Sequence, residues 1–487
     1  MTEIVVKNTS DGSPDSLRNA IASATAGDTI TFDSTLANQV ILLTNGQLTI
    51  DKNLTIDGAN APKLTVKSSG DSRIFRISDS ANFTLKNLIL TGGKLSGTDP
   101  DNFEDSAGGA ILIGGDSQTA IENCTFEGNS AGIGGAIYSQ WRTNFTAKSC
   151  IFRHNDGSLI PETERGGGAV SIHSESFSTF IDCEFYQNKG TLGAGINSLL
   201  SSLTVENCKF TENDASYGGT VGASETRGYG GAIFTDGAGP HGTGGEIIVR
   251  NTTFEQNKAA GQGGAAFLGG YAPDKVTVDK CLFKDNVLVR DGKGDSLGGG
   301  LRIFNAEYQI SNSTFTNNQA EDQGGGLWVG ETSPGAIANS TFVGNLVGLA
   351  EGNGVGGAIY ISTSEATEII NCTLANNQAG YEAGGIRGGQ NVRLTSTIIS
   401  SNTAANPWGN KQNTSDHRGF VPEPGAYFAD GGGNIEWPAI ENTFNNGKAT
   451  AGSLEVDPNL GPLEDNGTGI LIYAPLADSP AINAGAS

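Results

Sequence analysis

The sequence predicts an all-β chain, a single right-handed parallel β-helix of about a dozen coils with three short strands each, an N-terminal capping helix and an irregular C-terminal cap. Three observations carry this. Phe126, Phe152, Phe185, Phe210, Phe254, Phe283, Phe315 and Phe342 align in one slot, continued by Leu374 and Ile399. Asn follows three residues later in all ten copies: 129, 155, 188, 213, 257, 286, 318, 345, 377 and 402. Gly-rich segments such as "GGAI" (134–137, 230–233, 356–359) and "GGAV" (167–170) come next, and the copies recur every 25 to 44 residues. A repeat of that size is one supersecondary unit that buries its apolar side only against its neighbours.

Within a unit, alternation sets the strands. In "VENCKF" (205–210), Cys208 and Phe210 share one parity, whereas the apolar Val205 has the other. A thin coil has one interior, so the phase must break between them, at Asn207 or its equivalents Asn123, Asn251, Asn312, Asn339 and Asn371. Asn tolerates the left-handed backbone of a one-residue bend. A short strand, an Asn bend, a second strand, a further Asn turn and a "GGAI" strand complete one coil. At roughly 4.8 Å per coil the repeats would extend on the order of 60 Å.

The ends read as caps. In "SLRNAIASA" (16–24), Leu17, Ala20, Ile21 and Ala24 form one helical stripe, with Asp15 or Ser16 as N-cap. A helix there would cover the open first coil and shield its strand edges. The organisation expected is an N-terminal cap at 1–45, β-helix repeats at 46–402 and a closing region at 403–487, all in one continuous solenoid.

Repeated GGA[IV] followed by F-x-x-N resembles the repeats of polymorphic outer-membrane proteins and, more widely, bacterial secreted β-helix proteins of the pectate-lyase-like superfamily. The opening "VVKNTSDGSPDSLRNAIASATAGDTITFD" and the closing "VDPNLGPLEDNGTGILIYAPLADSPAINAG" resemble the terminal segments of such extracellular proteins. The resemblance implies a secreted or cell-surface location. It also implies a partner that is an extracellular polysaccharide or a cell-surface component.

Composition narrows the function classes. The chain of 487 residues has 72 Gly, one Met and a formal net charge of −23. That charge excludes a nucleic-acid partner, which needs a basic footprint, and leaves room for divalent cations. No run of 18 apolar residues exists, so no membrane span is expected. The first twenty residues lack the zones of a signal peptide, so the extracellular expectation rests on the resemblance.

Candidate chemistry falls in four places. The six cysteines occupy one slot, interchangeable with Ser and Thr, and read as small buried hydrophobes. "RHND" with "PETER" gathers Arg153, His154, Asp156 and Glu164, with Glu162 and Arg165, a base, acids and an anion-binding group on a loop between 156 and 166. Lyases of the resembling superfamily neutralise a uronate with Ca²⁺ or Arg and abstract a proton with a base, and its hydrolases use paired Asp. Acidic loops carrying Asp99, Asp101 and Asp105, and Asp291 and Asp295, are the candidate Ca²⁺ ligands, and no other cofactor is expected. In the closing region Trp408, His417, Arg418, Tyr427 and Trp437 combine aromatic faces with polar edges suited to sugars.

The functional expectation is therefore an adhesive, matrix-forming or glycan-binding scaffold without catalysis. A polysaccharide-active lyase, hydrolase or epimerase working in a groove is the alternative. End-to-end or lateral self-association is a third expectation, because caps are what keep β-helices from stacking.

Overall fold

The computed structural model describes all residues except 1, 161–164, 218–227, 241, 290–293, 406–427, 439–447, 466, 468 and 487. It is an all-β parallel solenoid of about 13 turns with very little helix. The chain divides into two compact units, Met1–Glu246 and Ile247–Ser487.

In the first unit each coil runs through three strands. The first has five residues (Gln118–Glu122, Asn144–Lys148, Phe177–Ile181, Ser202–Glu206), the second three (Thr125–Glu127, Ile151–Arg153, Glu184–Tyr186, Lys209–Thr211). The third follows the Gly pair (Ile137–Ser139, Val170–Ile172, Ile196–Leu199). Like strands pair in parallel, so Phe126, Phe152, Phe185 and Phe210 fall in register. Their rings stack at 4.9, 4.7 and 4.5 Å, within 8° of parallel.

The phase break between the first two strands lies where parity demands it. Asn87, Asn123 and Asn207 have φ of 57°, 51° and 54°, and Ser149 and Asp182 take the same bend at 53° and 54°. The second bend corrects the sequence reading. The left-handed residue is the one before the repeated Asn: Gly128, His154, Gln187 and Glu212, at 61°, 56°, 51° and 54°. The Asn itself turns inward and is fully buried. The Gly pair has two separate causes. Gly134 has φ +57°, and a Cβ on Gly135 would stand 2.3 Å from the Gly168 carbonyl of the next coil.

At the N-terminus, α1 (Leu17–Ser23) has Ser16 as N-cap, its Oγ accepting from the Asn19 amide, and buries Leu17, Ala20 and Ile21. The expected capping helix is thus present.

The second unit repeats the plan with Phe254, Phe283, Phe315 and Phe342 stacked at 4.7, 4.6 and 4.5 Å. It adds a fourth, two-residue strand directly after each buried Asn, for example Lys258–Ala259 and Gln319–Ala320. The strands form a six-stranded sheet with its own apolar column of Ala259, Leu288, Ala320, Val347, Ala379 and Ala404. Past Asn402 the strands Ile435–Trp437 and Leu454–Glu455 extend the second-strand sheet. An antiparallel hairpin, Leu460–Asp465 with Leu471–Pro475, then folds back, and Thr314 Oγ1 donates to the Leu471 carbonyl at 2.7 Å.

Candidate functional site

Of the residues expected to form a catalytic group, Arg153, His154 and Asp156 are each engaged by the coil. Arg153 projects from the outer side of its strand, in register with Glu127, to which its Nη2 donates at 2.8 Å. His154 is the exposed left-handed residue of the second bend, and its ring meets Tyr186 edge-on at 5.6 Å. The Asp156 Oδ1 accepts from the amide and hydroxyl of Ser158 at 2.9 and 2.6 Å, a local Asx turn. Among the described residues no hydrogen bond or ion pair joins Arg153, His154 and Asp156 to one another. Glu164 lies outside the described residues.

The acidic loop at 94–107 is fastened to the coil rather than open. It carries the short helix α2 (Phe103–Ser106). Arg73, almost wholly buried, donates to the carbonyls of Phe103, Glu104 and Ala107 at 3.0, 3.0 and 2.7 Å. Its burial lowers the guanidinium to about 10. Asp99 accepts from the Asp101 amide, and Asp105 from the Asn102 side chain. Asp101 pairs with Arg165 at 3.0 Å, linking this loop to the next one. Among the described residues no three His, Cys, Asp or Glu side chains group closely enough to hold a metal ion. Asp295 is exposed in a second loop, and Asp291 lies outside the described residues.

Beneath the Asp101–Arg165 link lies a cluster that the sequence did not single out. Phe103 packs on Tyr138 at 5.0 Å, Arg165 covers Phe103 at 5.5 Å, and His173 stands 6.4 Å from Tyr138. Ala107, Leu112, Ile133 and Ile160 complete it. The Tyr138 hydroxyl and His173 Nδ1 are buried without a hydrogen-bond partner. Burial, with the Arg165 cation, lowers His173 from 6.5 to about 4, and burial raises Tyr138.

Of the closing aromatics, Trp408, His417, Arg418 and Tyr427 lie outside the described residues. Trp437 ends the strand Ile435–Trp437, half-buried, with its carbonyl accepting from the Ser401 amide at 2.8 Å.

Grooves on the outer side of the five-residue strands are the surface that sequence reasoning missed. In the first unit a shallow groove of about 430 Å³ runs across successive strands. Its floor is an in-register column of Thr55, Thr84, Ala120 and Thr146, flanked by Asn82, Gln118 and Asn144. The column continues as Thr29 on one side and Thr179 and Thr204 on the other. In the second unit a groove of about 440 Å³ lies over Lys275, Thr277, Glu307, Tyr308 and Gln309. Alignment on the Val205 slot carries the signal, since Thr84, Thr146 and Thr204 recur one residue before it.

The model of the right handed beta helix region matches residues 22–254, 163–297 and 236–452. No curated protein matches the chain. Among solved structures, tailspike protein 3 of bacteriophage CBA120 is 12% identical with a TM-score of 0.49, covering 96% of this chain and 66% of its own. The A-module of mannuronan C-5 epimerase AlgE4 from Azotobacter vinelandii is 12% identical, with a TM-score of 0.33 over 82% of this chain and 95% of that one. Pectate lyase Pel9A is 13% identical, with a TM-score of 0.27 over 100% of this chain and 92% of that one. The chain thus spans just under two thirds of the tailspike's length, and 60% of a Geobacillus virus E2 protein that it also resembles. With overlapping matches running from residue 22 to 452, through coils of the geometry described above, the chain belongs to the right-handed β-helix family.

Proposed function

We propose that this protein is a secreted or cell-surface β-helix scaffold that binds polysaccharide without transforming it. The observation that supports this reading is the groove on the five-residue strands of the first unit, floored by hydroxyl and amide side chains. Such groups hydrogen-bond sugar hydroxyls in either direction, since hydroxyls and amides both donate and accept. Arg153 and Asp156 support it from the other side, because Arg153 pairs with Glu127, Asp156 accepts from Ser158, and among the described residues neither is bonded to the other or to His154.

A second reading, a polysaccharide lyase, hydrolase or epimerase, draws support from one feature. Tyr138 and His173, 6.4 Å apart, place two titratable side chains in one cluster, each with a buried polar atom that has no hydrogen-bond partner.

The test is a screen of acidic and neutral polysaccharides, with and without Ca²⁺, read both as binding and as release of reducing or unsaturated ends. Binding without product is the expected result. Turnover that disappears in His154→Ala or His173→Ala would overturn the scaffold reading.

A further inference from the structure

We infer that the first-unit groove takes a neutral polysaccharide laid across the strands, along the direction in which coils stack; this rests on the glycan-binding reading above. Charge is the first argument. The groove is lined by twelve residues, Gly, Asn, Gln, Thr, Leu, Phe and Ala in type, and none is charged, in a chain of net charge −23. An acidic polymer would find no cation on the floor and a repulsive field around it. The charged column along one side alternates in sign and sums to zero: Asp57, Lys86, Glu122 and Lys148 are in register on successive strands, with Lys86 and Glu122 paired at 2.8 Å.

Periodicity is the second argument. Thr55, Thr84 and Thr146 present hydroxyls at multiples of the strand spacing, about 4.8 Å. Asn82, Gln118 and Asn144 repeat amides beside them at the same interval. A regular row of donors and acceptors suits a ligand that is itself a repeat.

The third argument is an aromatic where solvent should prefer a polar group. Phe177 succeeds Asn144 in the amide column and is 65% exposed. A single exposed ring at the end of a hydroxyl-lined groove offers an apolar face to the C–H side of a pyranose. It is a stop or a stacking subsite for the polymer.

Affinity electrophoresis in gels containing laminarin or hydroxyethylcellulose, against gels containing alginate or polygalacturonate, tests the inference. Retardation by at least one neutral polymer is expected, with no retardation by the acidic pair. Phe177→Ala, which removes a surface side chain, should weaken it about tenfold. The Thr84→Val/Thr146→Val double variant, with unchanged circular dichroism, should weaken it by roughly the same factor, the loss of two hydrogen bonds. Retardation by the acidic polymers alone would overturn the neutral assignment, and neutral retardation unchanged in both variants would overturn its placement in this groove, each while leaving glycan binding standing. Absence of retardation by all four polymers overturns the glycan reading itself.

Discussion

Two buried columns run side by side through the coils, and they obey opposite rules. The column three residues after the Phe slot is Asn in every copy, whereas the column two residues before it exchanges Cys, Ser and Thr freely. Hydrogen-bond accounting explains the contrast. The Asn155 Oδ1 accepts from both the amide and the side chain of Asn129 at 3.1 Å. Its Nδ2 donates to the Phe126 carbonyl and to Asn188 Oδ1, each at 3.0 Å. The second unit repeats the pattern through Asn257, Asn286, Asn318, Asn345, Asn377 and Asn402. Only a side chain with an acceptor and a two-hydrogen donor in one plane fills that role. In the other column every residue makes the same local bond to the carbonyl two residues back, and several also accept a backbone amide of the neighbouring coil through the same sulfur or oxygen. Cys124 donates to that carbonyl at 3.3 Å, Thr252 at 2.8 Å and Ser313 at 2.7 Å. Any small side chain whose one S–H or O–H group both donates and accepts meets that demand.

Substitutions inside the ladders should give the largest effects. Phe185 lies stacked between Phe152 and Phe210, so Phe185→Ala opens a cavity in a continuous column and should cost about 4 kcal/mol. Asn155→Ala leaves the Asn129 donors and the Phe126 carbonyl without partners in a dry interior, at a cost of about 3 kcal/mol. Urea denaturation measures both. A loss below about 1 kcal/mol for Asn155→Ala would mean that water replaces the amide, and the contrast between the columns would fail.

A smaller and more local effect concerns pH. The amide ladder does not titrate, but His173 does. Its folded-state value of about 4 lies below the unfolded 6.5, so the unfolded chain holds the extra proton between those values. Stability is therefore full above about 6.5 and is lost as pH falls toward 4. Protection of the 94–107 amides against hydrogen exchange should drop between pH 7 and 5, and His173→Leu should flatten that change. A drop of equal size in His173→Leu would assign it to the loop carboxylates instead.

What was legible in the sequence follows the same division. The stacked Phe column, the left-handed first bend and the buried Asn column each impose one physical demand in every coil, so alignment of the chain with itself exposes them. The second bend was misplaced by one residue because Gly128, His154, Gln187 and Glu212 share no chemistry that marks a turn. The Asp101–Arg165 link joins residues 64 apart, and no local pattern announces it. The groove was hidden for another reason. Asn82, Gln118, Asn144 and Phe177 differ in type, and become one column only when strand register is fixed. Function is harder to read than scaffold here because the proposed groove is built from outward positions, which the repeat leaves free to vary.

The smallest effect is expected in the thiol column. Cys183 sits between Cys150 and Cys208, and its backbone amide donates to Cys208 Sγ at 3.4 Å. Six reduced thiols line this slot, and burial lifts Cys124, Cys281 and Cys372 to about 12, which keeps them protonated and unreactive. Cys183→Ser preserves volume approximately and shortens the bond to the carbonyl of Ile181, as Ser313 already does with Ser311. The oxygen also accepts from a neighbouring amide, since Ser313 Oγ takes the Cys281 N–H at 3.1 Å. The change in stability should stay within about 1 kcal/mol, and labelling of the native protein with a thiol reagent should be negligible before and after. A loss approaching that of Asn155→Ala would show that adjacent sulfurs stabilise one another as a chain. The thiol column would then be as specific as the asparagine ladder beside it.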